Sequence, residues 1–175
     1  MVKRRLSAAT IAAQAGGYID QASGGVVPPI QPSTTFVRDR AYVPHASGNI
    51  YARDDSDTVR VAENILAQMD AAKVALLFPN GMAAIAAVFR ALPTGATVLL
   101  QAQIYWGTTK WVREFCSRRG MVLVEADLSK PENMDKLCAS HEPDLVFIET
   151  PSNPWLRSTD IAHAANKVHD VGGRL

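Results

Sequence analysis

Residues 97–126, TVLLQAQIYWGTTKWVREFCSRRGMVLVEA, are the stretch that decides the fold. Two short, continuous apolar runs, at 97–100 and 121–126, lie on either side of a helical pattern over residues 106–119. Gly120 follows this pattern and predicts the end of the helix, because glycine readily adopts the left-handed conformation found there. Continuous apolar strands that alternate with helices predict a mostly parallel sheet with helices on both faces.

The same alternation of apolar strands and helices extends in both directions along the chain. Helical spacing of apolar residues begins at residue 58, just after a group of capping side chains at 55–58. Further predicted elements are a buried strand at 74–78 and a helix at 81–92 upstream, and a helix at 132–139, a strand at 145–148 and a helix at 159–171 downstream. The fold class predicted is therefore α/β.

The part of the chain before residue 58 has a different character. Glycines and prolines interrupt residues 16–50 so often that long helices or strands are not expected there. Buried-type residues such as Val26, Ile30 and Phe36 recur in it, so it is interpreted as an ordered arm that packs against another surface. The predicted organisation is an arm over residues 1–57 and an α/β domain over residues 58–175.

Composition and charge exclude several classes of protein. The chain has 175 residues, of which 47% are hydrophobic and 20% charged, with a net charge of +1. This balance is typical of a globular protein and offers no general attraction for nucleic acid or anionic lipid. No apolar run reaches the roughly 18 residues of a membrane-spanning helix. Lys3, Arg4 and Arg5 precede an Ala-rich segment that favours a short amphipathic helix over a secretory leader, so a cytoplasmic location is expected.

The cysteines and histidines give no sign of a disulfide framework or a metal site. Cys116 and Cys138 have no Cys or His partner at ligand spacing, and are interpreted as small apolar residues on helix faces. The four histidines are scattered along the chain. We therefore predict no bound metal.

Ligands of open α/β sheets bind beyond the carboxyl ends of the strands, so the loops there are the places to search. Asn80-Gly81-Met82 lies between a predicted strand and a helix start, where unpaired helix amides can bind a phosphate. An ordinary turn that needs glycine for its conformation explains the same residues. Neither the G-x-G-x-x-G spacing of a nicotinamide-binding domain nor a Gly-Lys-Ser/Thr loop occurs, which disfavours those nucleotide sites.

Two aromatic motifs offer further candidate ligand contacts. Tyr51 and Arg53, at the end of the arm, can both reach one phosphate if their segment is extended. On these two residues alone, an ordinary surface pair is the favoured interpretation. Tyr105 follows the predicted strand at 97–100 and can stack on a planar ring, whereas Trp106 beside it is assigned to the core.

One acidic loop completes the set of candidates. Glu149 is followed by Thr-Pro-Ser-Asn-Pro, in which two prolines fix the backbone around Asn153. This rigidity favours placement of a polar side chain toward a ligand. A tight connection with a helix cap is the alternative.

Together these motifs resemble the trans-sulfuration enzymes, the pyridoxal-phosphate enzymes of cysteine and methionine metabolism. The residues that carry the resemblance are Val26-Val-Pro-Pro-Ile30, Ser33-Thr-Thr-Phe36, Tyr51-Ala-Arg53, Phe78-Pro-Asn-Gly-Met-Ala-Ala84, Tyr105-Trp-Gly-Thr108, Ile148-Glu-Thr-Pro-Ser-Asn-Pro154 and Asp160-Ile161. Their order and spacing cover nearly the whole chain. The resemblance implies an arm that makes contacts between subunits, followed by the first part of the fold-type I, aminotransferase-like domain that binds pyridoxal 5'-phosphate.

The resemblance implies a role for each candidate residue. Gly81 and Met82 match the amides that hold the cofactor phosphate, and Tyr105 matches the catalytic aromatic that stacks on the cofactor ring. Asn153 matches the side chain near the cofactor's phenolic oxygen. Glu149 matches an acidic residue near the substrate amine.

Tyr51 and Arg53 match residues that reach the phosphate of a neighbouring subunit's cofactor. The implied partners are an amino-acid substrate and further copies of the chain, in a homodimer or homotetramer.

The implied activity is either γ-replacement on an activated homoserine, as in cystathionine γ-synthase, or elimination by a carbon–sulfur lyase. None of the six lysines occupies the position of the family's Schiff-base lysine, and the motif Val-Asp-Asn-Thr is not present. We therefore expect an incomplete chain that is inactive alone. The competing hypothesis is a non-catalytic α/β module that binds phosphate or pairs with a full-length subunit.

Overall fold

The computed structural model describes residues 6–175, so Lys3, Arg4 and Arg5 lie outside the described residues. The chain divides into two compact units, Met1–Phe78 and Pro79–Leu175. The division into arm and domain after residue 57 stays a prediction. None of the helices within residues 6–175 is long and apolar enough to span a membrane.

From residue 6 onward, the first unit contains two α-helices joined by a largely irregular segment. Helix α1 spans Ala8–Ala13 and is followed by a 3-10 turn at Ala15–Gly17, while α2 spans Asp57–Met69. The side chain of Ser56 caps α2 by accepting a hydrogen bond from the amide of Val59 at 3.3 Å, as the capping residues at 55–58 predict. Between the helices, the structure forms only isolated bridges and turns within residues 18–56. The predicted absence of long helices and strands is confirmed there, whereas the packing of this segment against another surface stays a prediction.

The segment at 74–78 differs from its prediction as a buried strand. Within the described residues it pairs with no strand, and the side chains of Val74 and Leu76 are 69% and 66% exposed. The amide of Leu77 donates to Oε1 of Glu63 at 2.8 Å instead of to a strand carbonyl. The prediction was wrong because an apolar run shows that burial is favoured, but carries no information about whether a neighbouring strand pairs with it.

The second unit alternates helices and strands as the sequence predicts. Its elements are α3 (Gly81–Arg90), β1 (Thr97–Gln101), α4 (Trp106–Arg118), β2 (Val122–Ala126), α5 (Pro131–His141), β3 (Leu145–Phe147) and α6 (Ile161–Asp170). The strand order is β2-β1-β3, and β1 pairs in parallel with both neighbours. Each boundary lies within a few residues of its predicted position.

Two hydrophobic clusters cover the two faces of this sheet. Val98 and Leu100 belong to one cluster with Phe89 of α3 and Cys116 of α4. Leu99, which points to the opposite face, belongs to a second cluster formed with α5 and α6. Successive residues of β1 therefore serve different cores, which confirms the predicted parallel sheet with helices on both faces.

Both cysteines contribute to these cores as apolar residues. Cys116 and Cys138 are unpaired, and their exposed fractions are only 1% and 2%. Burial raises the pKa of each thiol above its ordinary value. The prediction that they lie on helix faces as small apolar groups is confirmed.

Gly173 allows the chain after α6 to approach β3 closely. The amide of Val146 donates to the carbonyl of Arg174 at 2.8 Å, and the amide of Arg174 donates to the carbonyl of Asp144 at 3.1 Å. A Cβ on Gly173 would overlap the backbone carbonyl oxygen of Pro143. This contact involves backbone, which cannot move aside as a side chain can.

We therefore predict that Gly173→Ala destabilises the second unit by about 1–3 kcal/mol, the usual cost of overpacking. Urea unfolding followed by circular dichroism measures the effect. The matched control is Gly81→Ala, where an added Cβ meets no atom within 4 Å. Equal unfolding midpoints for the two variants would contradict the prediction.

Candidate functional site

A cleft of about 590 Å³ lies in the second unit, beyond the carboxyl ends of β1 and β3. Parallel pairing places these ends at one edge of the sheet, where ligands of such folds bind. All five candidate residues of the second unit take part in the cleft. Its lining consists of Asn80, Gly81, Met82, Ile85, Tyr105, Thr108, Glu149, Pro151 and Asn153.

The N-terminus of α3 forms the part of the cleft that can accept an anion. Gly81 and Met82 are the first two residues of this helix, so their amides have no carbonyl acceptor within it. Asn80 caps the helix, with Oδ1 accepting from the amide of Ala83 at 2.9 Å. The first turn has no acidic residue, and the space where a Cβ of Gly81 would lie is open. A phosphate monoester fits this arrangement because it satisfies free amides and the positive end of the helix dipole.

Tyr105 supplies the aromatic part of the cleft. It precedes α4, and its ring lies against Gly107, where a Cβ would come within 2.6 Å of the ring atom Cε1. The side chain is 39% exposed and lines the same cavity as Gly81 and Met82. Because Gly107 has no side chain, the Tyr105 ring has space to adopt this orientation. In this orientation the ring can contact a planar ligand.

Thr108 is a site residue that the sequence reasoning missed. It is fully buried in the first turn of α4, and its Oγ1 donates toward Sδ of Met82 at 3.6 Å. This contact joins α4 to the first turn of α3. Its position three residues after Tyr105 was the available signal, since such spacing places residues near one another at a helix start.

Glu149 connects the loop after β1 with the loop after β3. Its Oε2 accepts from the amide of Tyr105 at 3.4 Å, and its Oε1 accepts from the amide of Asn153 at 2.5 Å. Gln101, at the end of β1, is fully buried and accepts from the amide of Glu149 at 3.2 Å. The two loops that line the cleft thus share one carboxylate.

The loop that contains Asn153 is also tied to the end of β2. Asp127 follows this strand, and its Oδ2 accepts from Nη1 of Arg157 at 2.6 Å. Its Oδ1 accepts from the hydroxyl of Ser129 at 2.5 Å. The hydrogen bond from Ser129, followed by the charge of Arg157, lowers the pKa of the Asp127 carboxyl despite an opposing effect of burial. Loops from all three strands are therefore linked at this edge.

Tyr51 and Arg53 lie in the first unit and contact each other. Nη2 of Arg53 donates to the Tyr51 hydroxyl at 3.3 Å, and its guanidinium lies 5.3 Å from the ring centroid. The backbone turns here, with the amide of Asp54 donating to the carbonyl of Tyr51 at 3.0 Å. The extended segment assumed in the sequence argument is therefore absent, although the two side chains meet. Their role toward a cofactor stays a prediction.

Trp106 departs from its assignment to the core, because its side chain is 68% exposed. It is the first residue of α4 and lines a larger groove of about 960 Å³ together with Lys110 and Arg113. Residues four apart share one helix face, so Trp106 lies on the charged face of α4. Arg113 in this groove already pairs with Glu125 at 2.6 Å. We favour the smaller cleft as the functional site because its amides are open to a ligand.

Comparison with known proteins identifies the family. Residues 9–175 match the model of the Cys/Met metabolism PLP-dependent enzymes. The chain belongs to this family. Membership confirms the resemblance found in the sequence and identifies pyridoxal 5'-phosphate as the family's cofactor.

Individual family members cover the chain well, although the chain covers less than half of each of them. It is 36% identical over 165 residues to a cystathionine gamma-lyase from Sus scrofa, covering 94% of the chain and 40% of that enzyme. It is 35% identical over 150 residues to the human cystathionine gamma-lyase, covering 86% of the chain and 36% of that enzyme. The chain thus spans about two fifths of the length of these relatives.

Solved structures of the family have the same fold. A cystathionine gamma synthase from Xanthomonas oryzae pv. oryzae in complex with cystathionine matches with a TM-score of 0.86 and 32% identity, covering 97% of the chain and 43% of that structure. A methionine gamma lyase from Micromonospora echinospora matches with a TM-score of 0.81 and 31% identity, covering 97% and 44%. The fold-type I assignment is confirmed.

The contact between Tyr105 and Gly107 gives a direct test of the aromatic part of the site. Gly107→Ala adds a methyl group in the space beside the ring, so we expect the ring to rotate and its 6.0 Å packing with Trp106 to change. The near-ultraviolet circular dichroism should change while the far-ultraviolet spectrum does not. Lys110→Ala, on the exposed side of α4, is the control. A near-ultraviolet spectrum like that of the wild type would contradict the assigned ring position.

Asp127 gives a pH-dependent test of the link between the loops. Its pKa in the folded state is below the ordinary aspartate value of 3.8, so its stabilising effect is complete above about that pH. The effect is lost as the pH falls through the folded-state pKa. We expect Asp127→Asn to lose less unfolding free energy than the wild type on acidification below about pH 4. Urea unfolding at several pH values measures this, with Asp54→Asn as an exposed control. Parallel pH profiles for wild type and Asp127→Asn would disprove it.

Proposed function

We propose that this chain provides the phosphate- and ring-binding part of a pyridoxal-phosphate-dependent trans-sulfuration enzyme, which makes or breaks a carbon–sulfur bond of an amino acid. One observation carries the proposal. The open amides of Gly81 and Met82, the ring of Tyr105 and the side chain of Asn153 line a single cavity of about 590 Å³. A phosphorylated aromatic ring needs this combination.

Each residue then has a defined task. The amides of Gly81 and Met82 bind the phosphate, and the ring of Tyr105 packs against the cofactor's pyridine ring. Asn153 orients the ring near its phenolic oxygen, and the Tyr105 hydroxyl can hold a proton close to the reacting atoms. When bound, the cofactor supplies an electron sink that stabilises negative charge on the substrate carbon.

The arm supports a proposal that the site is shared between subunits of a homodimer or homotetramer. Val26, Val27 and Ile30 are strongly exposed within residues 6–175, with Ile30 reaching 85%. Apolar residues at this exposure favour a protein partner. In this proposal, Tyr51 and Arg53 donate to the phosphate of a cofactor bound by the neighbouring copy, where a guanidinium adds a charge-assisted bond.

The reaction is proposed at the level of its class. The matched relatives carry the names of a gamma-lyase and a gamma synthase, so both elimination and γ-replacement on an activated homoserine remain within the proposal. We also propose that the enzyme acts in cysteine or methionine metabolism, including methionine biosynthesis. Its proposed location is the cytoplasm.

A second candidate function is a phosphate-binding or dimerisation module without activity of its own. The observation that favours it is that no lysine is among the described residues that line the cleft. We propose on the same ground that the 175-residue chain alone is inactive.

A proline substitution at the helix start tests the phosphate role of the amides. Gly81→Pro removes one N–H, and proline is well tolerated at the first helical position. Asn80 already has the extended conformation, with ψ of 165°, that a residue before proline requires. We expect a roughly tenfold or greater loss of affinity for pyridoxamine 5'-phosphate, because a hydrogen bond to a charged group is removed. The cofactor's fluorescence measures binding.

Gly81→Ala is the matched control, since it adds a carbon at the same position and keeps the N–H. Equal affinity of Gly81→Pro and Gly81→Ala would contradict the role of the amide. Binding of inorganic phosphate without binding of pyridoxamine 5'-phosphate by the wild type would favour the module over the enzyme.

A further inference from the structure

The loops that carry Tyr105 and Asn153 depend on the carboxylate of Glu149. Oε2 accepts from the amide of Tyr105 at 3.4 Å, and Oε1 accepts from the amide of Asn153 at 2.5 Å. The two amides belong to residues 48 positions apart in sequence. One side chain therefore fixes the backbone on both sides of the cleft.

A carboxyl side chain suits this position better than an amide does. Both of its oxygens accept hydrogen bonds, whereas the amide of a glutamine has one accepting oxygen and one donating nitrogen. A glutamine at 149 would direct its donor at a backbone donor. The position therefore favours a side chain with two accepting oxygens, and both oxygens bind backbone amides of this chain.

The backbone of Glu149 is itself held by the sheet. Gln101 is the last residue of β1 and is fully buried, and its Oε1 accepts from the amide of Glu149 at 3.2 Å. The same oxygen accepts from the hydroxyl of Thr159 at 3.3 Å. The position of the carboxylate thus follows from the position of β1.

We propose that Glu149 is a positioning residue that sets the separation of Tyr105 and Asn153, and with it the width of the cleft for a flat ring. The family resemblance assigns Glu149 to the substrate amine, whereas in this chain both of its oxygens serve the protein backbone. The identity of the ring rests on the proposed function. The link that Glu149 makes between the two loops, called the brace below, does not depend on the proposed function.

The first experiment measures amide hydrogen exchange by NMR in the 175-residue chain. Glu149→Gln should accelerate exchange at both Tyr105 and Asn153 by about tenfold or more, because charge-assisted hydrogen bonds are lost. The amide of Ala83, held by Asn80, is the internal reference and should not change. Glu114→Gln, an exposed glutamate on α4, is the matched control. Exchange at both amides within twofold of the wild type would overturn the proposal.

A second variant separates the effect of the carboxylate group from the effect of side-chain length. Glu149→Asp keeps the carboxylate but shortens the side chain, so it should protect no more than one of the two amides. Full protection of both amides in Glu149→Asp, with the amide chemical shifts of Tyr105 and Asn153 as in the wild type, would overturn the proposal, because the separation of the loops would then not depend on the length of this side chain.

The third measurement links the brace to the site. Glu149→Gln should weaken binding of pyridoxamine 5'-phosphate by about tenfold and leave binding of inorganic phosphate within twofold, since the phosphate amides of α3 are not part of the brace. Equal weakening for both ligands would contradict a positioning role limited to the ring. If the wild type binds no pyridoxamine 5'-phosphate, the proposed function fails, while the exchange experiment still decides the role of Glu149.

Discussion

Parallel pairing of β1 with both β2 and β3 is the constraint on which the rest of the second unit depends. It brings the carboxyl ends of three strands to one edge, so loops far apart in sequence become neighbours. It also alternates the side chains of β1 between two cores, which fix α3 and α4 on one face and α5 and α6 on the other. The helix that supplies open amides and the loop that supplies Tyr105 are both held by the first of these cores.

At the carboxyl edge of the sheet, the carboxylates of the chain and the site for an external anion are separate. Glu149 and Asp127 are carboxylates that the protein uses internally, one binding backbone amides and the other a guanidinium. The amides of Gly81 and Met82 remain open to an anion from outside. The internal carboxylates therefore organise the loops, while the helix N-terminus stays available for a phosphate group.

Much of this unit could be predicted from the sequence, because apolar periodicity reports directly on burial. The run at 97–100 and the helix at 106–119 were found within one residue at each end. The run at 74–78 was misjudged, since strand pairing depends on a neighbour that a local pattern does not show. Trp106 was misjudged because a single aromatic residue at a helix start has no periodicity from which its face can be inferred.

The five candidate residues that line the cleft were named from the sequence, but the contacts between them were not. A glycine, an aromatic residue and an asparagine near predicted strand ends could be named as candidates, because residue type and loop position can be read from the sequence. The bonds from Glu149 to two backbone amides were not, because they depend on loop geometry in three dimensions. The contact of Thr108 with Met82 was missed for the same reason.

The central claim is that the start of α3 is an anion site at the carboxyl edge of the sheet. Titration of the ¹⁵N-labelled chain with inorganic phosphate, followed by amide chemical shifts, tests it most directly. The account predicts that the largest saturable shifts occur at Gly81 and Met82. Larger shifts around Lys110 and Arg113 in the groove of α4, or no saturable shift at α3, would contradict it.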